Sequence, residues 1–81
     1  MYFVYIVENV KDKLYIGFTS DLEKRVKSHN NPLSKDWTKN KGPWNLIYKE
    51  EFVDKLGAQK RERYLKSLKA GQRIKKILKI I

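Results

Sequence analysis

Arg25 and His29 stand four residues apart in the stretch Leu14 to His29, LYIGFTSDLEKRVKSH. At that spacing both side chains lie on one helical face, with Leu22 and Val26 on or beside it. An arginine and the chain's one histidine, placed where a helix meets its core and preceded by Tyr15 at the end of a strand, could line a small anion-binding site. The plainer reading is that Arg25 lays its alkyl stem over the core edge while His29 closes the helix C-terminus. Glu62 raises the complementary question. It is the only acid after Asp54, it stands among Lys60, Arg61, Arg63 and Lys66, and helical spacing sets it beside Ala58 and Leu65 on an inner stripe. Its carboxylate needs a partner. One choice is Lys66 in an i,i+4 ion pair, worth a few tenths of a kcal/mol at a surface. The other is a divalent cation, Mg²⁺ or Mn²⁺, of the kind held by one or two carboxylates together with waters and a substrate phosphate. An arginine that could hold an anion and a carboxylate that could hold a divalent cation are groups able to meet a phosphate from two sides.

The elements that must position these groups follow from the pattern of apolar residues. Tyr2 to Val7 is a continuous apolar and β-branched run, and the polar Glu8 to Lys13 separates it from Leu14-Tyr15-Ile16. This predicts a hairpin whose first strand is buried on both faces. Tyr5 and Tyr15 then sit on neighbouring strands, and a turn register unreadable from sequence decides whether they share a face. Ser20-Asp21-Leu22-Glu23 reads as a capping box that starts a helix at about Ser20, and Asn30-Asn31-Pro32 ends it. Pro32 to Pro43 is a long irregular stretch carrying Lys35, Trp37, Lys39 and Lys41. Loops of about 12 residues are often binding loops. Trp37 would stack on a base while the lysines meet phosphates, or it anchors the loop to the core. Trp44 to Phe52 predicts a third strand, and Asp54 caps a helix whose stripe runs through Ala58, Leu65 and Leu68 to about Lys69. After Gly71, Ile74, Ile77, Leu78 and Ile81 fall at helical spacing and predict an amphipathic terminal helix packed on its own domain.

Nineteen Lys+Arg against nine Asp+Glu give a formal charge of +10 on an 81-residue chain, which favours a polyanionic partner such as nucleic acid. With no cysteine, disulfides and thiolate metal sites are excluded, and a metal must be bound by oxygen or by the histidine. The longest N-terminal apolar run is too short to span a bilayer, and no basic segment precedes it, so neither a secretory signal nor a membrane anchor is expected. The expected location is the cytoplasm.

Phe3-Val4-Tyr5, Tyr15-Ile16-Gly17, Arg25 and His29, in this order and spacing, resemble the signature of the GIY-YIG nuclease domain. The resemblance is to the small single-domain bacterial members and extends to Pro43-Trp44 and Lys60-Arg61-Glu62. It implies metal-dependent cleavage of DNA at a groove lined by Tyr5, Tyr15, Arg25, His29 and Glu62, with Glu62 on Mg²⁺ or Mn²⁺. It also implies that a motif tyrosine serves as base. A phenol titrating near pH ~10 needs nearby positive charge for that task. Tyr5 is the favoured base, with Tyr15 positioning water or phosphate and His29 relaying or stabilising protons. The first tripeptide lacks the usual glycine, and Phe18 stands where repair-type relatives carry a lysine.

The expected fold is a mixed α/β (α+β) domain over residues 1–81, a small, mainly antiparallel three-stranded sheet flanked by helices in the order ββαβαα. The expected partner is DNA, with RNA as alternative and no membrane; Lys35, Trp37, Lys39, Lys41, Lys60 and Arg63 are the expected nucleic-acid contacts. So small a domain leaves room for recognition of backbone or structure rather than of extended sequence. Two rivals stand beside this reading. One is a non-catalytic basic module that binds DNA or RNA and is indifferent to Mg²⁺. The other is an interaction protein that self-associates through the C-terminal apolar face, in which a polar residue at Ile77 would disperse oligomers.

Overall fold

The structure is a computed structural model that describes residues 1–9, 11–30, 43–69 and 71–79, without the side chains of His29 and Asn30. Strand β1 (Tyr2–Asn9) and strand β2 (Leu14–Thr19) lead into helix α1 (Leu22–Asn30). Strand β3 (Trp44–Phe52) and helix α2 (Lys55–Ser67) follow, then a 3-10 turn (Gly71–Arg73) and the single-turn helix α3 (Ile74–Ile77). The three strands form one antiparallel sheet in the order β2-β1-β3. The order ββαβαα is the expected one.

The apolar run of β1 makes it the central strand. Val4, Tyr5, Ile6 and Val7 are each wholly buried, because sheet neighbours flank β1 on both sides and helices cover both faces. Alternation sends Val4 and Ile6 to one layer, with Ala58, Leu65 and Ile74 from α2 and α3. Tyr5 and Val7 go to the other, with Trp44 and with Leu22 and Val26 from α1. Full burial of an aliphatic or aromatic side chain contributes on the order of 1.5–3 kcal/mol. Two thin cores on one strand are how so short a chain stays folded.

The hairpin register is set by Asn9. Its Oδ1 accepts from the backbone N–H of Lys11 at 3.0 Å and of Lys13 at 2.8 Å, while Asp12 takes a left-handed φ of 62°. This pairs Tyr5 with Gly17 and Val7 with Tyr15, so both tyrosines share the α1 face of the sheet. Between β1 and β3, Ile6 faces Tyr48 and Val7 faces Leu46, leaving Ile47 as the extra residue of a bulge.

Helix ends follow side-chain caps. Asp54 Oδ1 accepts from the Gly57 N–H at 2.7 Å and starts α2 as expected. At α1 the cap is Asp21, not Ser20: Asp21 Oδ1 accepts from the Lys24 N–H at 3.1 Å, and the Thr19 hydroxyl accepts from the Asp21 N–H. Glu23 pairs instead with Lys27 at 3.4 Å. The terminal helix is also shorter than its periodicity predicts. Gly71 (φ 54°) opens a 3-10 turn and Lys79 (φ 58°) follows the single helical turn, so Ile74 is buried while Ile77 is exposed. Ile81 lies outside the described residues.

Two carboxylates tie distant segments together. Lys75 Nζ donates to Glu8 Oε2 at 2.6 Å and Gln72 Nε2 donates to the same oxygen at 3.0 Å and also to the Asp12 carbonyl, which fastens the C-terminal segment to the hairpin. Arg61 grips Glu50 through both Nε (2.9 Å) and Nη2 (3.0 Å), and the Tyr48 hydroxyl donates to the same carboxylate. The Lys75 hydrogen bond, helped by Gln72 and opposed by burial, holds Glu8 below the usual carboxylate range. Burial pushes Glu50 up, but the hydrogen bonds from Arg61 and Tyr48 outweigh it and hold Glu50 low as well. Both groups therefore bind protons more weakly in the folded chain than in the unfolded one. Their stabilisation is complete above the unfolded carboxylate value of about 4.3 and is lost as the pH falls through the depressed folded values. The thermal midpoint is expected to fall between about pH 6 and about pH 3, and less steeply in a Glu8→Gln/Glu50→Gln variant. Equal slopes in a melting series would refute the assignment.

Candidate active site

The site is built at the outer edge of β2, where the two helical layers meet. Gly17 lies opposite Tyr5, and a Cβ at Gly17 would stand 2.7 Å from the Tyr5 hydroxyl oxygen. The glycine thus makes room for a wholly buried phenol. Tyr15, two residues earlier on β2, is half-buried; its ring centroid is 6.4 Å from that of Tyr5 and the planes are inclined at 35°. From α2, over the opposite face of the sheet, Lys66 brings its ammonium to 6.0 Å from the Tyr15 ring centroid. The same ammonium is 3.8 Å from Glu62 Oε2. Tyr5, Tyr15, Lys66 and Glu62 therefore form a continuous line around the sheet edge.

Glu62 occupies the inner stripe its spacing predicts, with a side chain only 17% exposed, whereas that of Lys66 is 52% exposed. At 3.8 Å the pair is a loose ion contact rather than a short hydrogen bond, so the carboxylate keeps acceptor capacity for another ligand. Among the described residues no group of three or more His, Cys, Asp or Glu side chains converges on a metal position. The mode the residues fit is that of one carboxylate with waters and substrate phosphate completing the shell, which suits Mg²⁺.

Arg25 is on α1, the helix whose Leu22 and Val26 pack on the same side of the sheet as Tyr5 and Tyr15. It is exposed and lines a polar groove with Thr19, Asp21, Lys24 and Ser28. His29 lies in the last turn of α1, and its side chain is outside the description. Lys60 and Arg63 are exposed on α2, whereas Lys35, Trp37, Lys39 and Lys41 lie outside the described residues.

Lys66 belongs to the site in a way its spacing only half reveals. The i,i+4 relation to Glu62 was visible in sequence, but its approach to Tyr15 depends on where α2 crosses β2. Arg61 has a structural task, the grip on Glu50, that no local pattern indicates, since the two are eleven residues apart on different elements.

An antiparallel three-stranded sheet with helices on both faces, two tyrosines on one face of a hairpin and a glutamate on the helix across the sheet edge define a class of small α+β domains with a basic surface. The chain belongs to the GIY-YIG catalytic domain family, whose model matches residues 1–75. That family is one of endonucleases, so the chain carries a nuclease-type domain. It is similar to the UPF0213 protein CPE1444 of Clostridium perfringens, 43% identical over 95% of this chain and 83% of the relative. It is also similar to the UPF0213 protein YazA of Bacillus subtilis, 40% identical over 83% of this chain and 68% of the relative. The fold matches the solution NMR structure of the UPF0213 protein BH0048 from Bacillus halodurans with a TM-score of 0.57 and 32% identity, covering 96% of this chain and 82% of that one. Among the described residues no helix is long and apolar enough to cross a membrane.

Proposed function

We propose that this protein, as a single domain over residues 1–81, is a divalent-metal-dependent endonuclease that hydrolyses phosphodiester bonds in cytoplasmic DNA and is directed by backbone or local structure. The observation that carries the reading is the convergence of Tyr15, Lys66 and Glu62 on one sheet edge. Glu62 would hold Mg²⁺ or Mn²⁺, which when bound supplies polarisation of the phosphate and support for the leaving oxygen. Lys66 and Arg25 would take non-bridging oxygens, and the basic surface, with Lys60 and Arg63 on α2, would hold the flanking backbone.

The full burial of Tyr5 favours a division of the tyrosine roles other than Tyr5 as base. A wholly buried phenol does not meet an attacking water, so we assign proton acceptance to the hydroxyl of half-buried Tyr15 and the support of its ring to Tyr5. His29, in the last turn of α1, is the group we assign to relaying that proton. Repair, recombination and foreign-DNA processing are the settings such an activity fits.

The test is incubation of the purified protein with branched, flapped, single-stranded and plain duplex DNA and with matching RNA, in Mg²⁺, Mn²⁺ or EDTA. Cleavage of at least one DNA substrate is expected in metal and none in EDTA; cleavage of RNA alone, or cleavage surviving EDTA, would overturn the reading. The Glu62–Lys66 contact favours a second reading, in which Glu62 serves only as an ion-pair partner and the domain binds nucleic acid without cutting it. Its signature is affinity that falls steeply with salt, ignores Mg²⁺ and is accompanied by no cleavage.

A further inference from the structure

Beneath the outer edge of β2 lies a cavity of about 330 Å³ between that strand and the α2–α3 connection. We infer that it seats one unpaired nucleobase of the substrate strand, an assignment that rests on the nuclease reading for its place beside a scissile phosphate. Its floor is apolar: Leu14 and Ile16, which with Phe18 face α2 from β2, meet Leu65 and Ile74. Among the described residues, the charged groups that line it are two ammoniums, Lys66 beside Tyr15 and the exposed Lys69. An apolar floor has no hydrogen bond to offer a phosphate, but it accepts a flat aromatic ring, and cations around it meet the phosphates on either side. The charge pattern selects among apolar occupants. A chain of formal charge +10, with cations and, among the described residues, no carboxylate lining this cavity, complements a polyanion carrying aromatic rings rather than a neutral peptide.

The volume lies near the lower end of small-ligand pockets, about 300–1,000 Å³, which suits one base and not a base pair. A base can enter only when it has left the duplex stack. Lys66 links the cavity to the site, because the same ammonium lies against Tyr15 and Glu62. A base on the cavity floor thereby brings its own phosphate to the group between the candidate base and the candidate metal ligand. The substrate class follows: DNA with an unpaired nucleotide at the cleavage point, such as a flap, gap or single strand.

The experiment is an amide NMR titration of the whole protein in EDTA with a thymidylate tetranucleotide and with an abasic tetramer carrying the same phosphates. The base-containing strand is expected to shift Leu14, Tyr15, Ile16, Leu65 and Ile74 and to bind about tenfold more tightly than the abasic one. Leu14→Trp, which fills the cavity from its floor, should remove that difference; Lys69→Glu at the exposed rim, a group that meets phosphate and not base, should weaken both strands and leave the difference in place, and loss of the difference there would count against the seat. Equal binding of the two strands, or shifts confined to the lysines and the Arg25 groove, would overturn the seat. Base-dependent shifts at the cavity without cleavage of any substrate would retain the seat and refute the nuclease, whereas cleavage with base-independent binding would do the reverse.

Discussion

Replacing Glu62 by glutamine is expected to lower metal-dependent cleavage by at least about 10²-fold while shifting the thermal midpoint by no more than about 4 °C. The substitution keeps the shape of a side chain that is 17% exposed and removes only its charge. What is lost in the fold is a 3.8 Å contact to a lysine that is itself half-exposed, and i,i+4 helix pairs of that kind contribute about 0.3–0.5 kcal/mol. What would be lost in the chemistry is the anionic ligand proposed for the divalent ion, and removal of one group stabilising transition-state charge costs about 10²–10³ in rate. The contrast between a large kinetic and a small thermal effect is the diagnostic. Single-turnover cleavage across a Mg²⁺ titration, beside a melting curve, measures both. Cleavage within a few-fold of the parent at every Mg²⁺ concentration would assign Glu62 to its ion pair with Lys66 and remove the metal ligand from the site.

How far the sequence could carry this site depends on which interactions are local. The burial of β1, the hairpin and the inner stripe of α2 are repeats of two or of 3.6 residues, and Val4 to Val7, Ala58 and Leu65 are buried as their spacing requires. Gly71 interrupts the terminal periodicity more sharply than the spacing of isoleucines suggests, because a 3-10 turn has already rotated the chain before Ile74. The start of α1 shifts by one residue since the Thr19 hydroxyl engages the Asp21 backbone and frees the Asp21 carboxylate to cap. Register was beyond reach. It depends on how Asn9 binds the turn and on a bulge opposite Ile6 and Val7, and a slip of one residue between β1 and β2 would have put Tyr5 and Tyr15 on opposite faces of the sheet. Ion pairs that cross the fold, such as Lys75 with Glu8, sixty-seven residues apart, obey no local rule at all.

Gly17→Ala is expected to destabilise the protein by about 1–3 kcal/mol, although the same change within a strand ordinarily gains roughly 0.5–1 kcal/mol. Left-handed backbone is not the reason, since among the described glycines only Gly71 has a positive φ. Space is. The new methyl carbon would lie 2.7 Å from the Tyr5 hydroxyl oxygen, 2.9 Å from Tyr5 Cζ and 3.1 Å from Tyr15 Cε1, all well inside van der Waals contact. The Tyr5 ring has nowhere to retreat, being wholly buried against Val7 and Trp44, so the strain falls on the hairpin or on Tyr15. In a domain of this size each kcal/mol lowers the thermal midpoint by about 4–8 °C, a shift that a melting curve resolves easily. Because Tyr15 is the side chain best able to yield, cleavage should fall with stability and remain low at temperatures where the variant is folded. Combining Gly17→Ala with Tyr5→Phe removes the 2.7 Å clash but leaves the one at Cζ, so the pair should recover part of the lost stability and none of the activity. A Gly17→Ala protein that melts higher than its parent would mean that this glycine does not serve to seat Tyr5, and the packing that joins the two tyrosines would need another explanation.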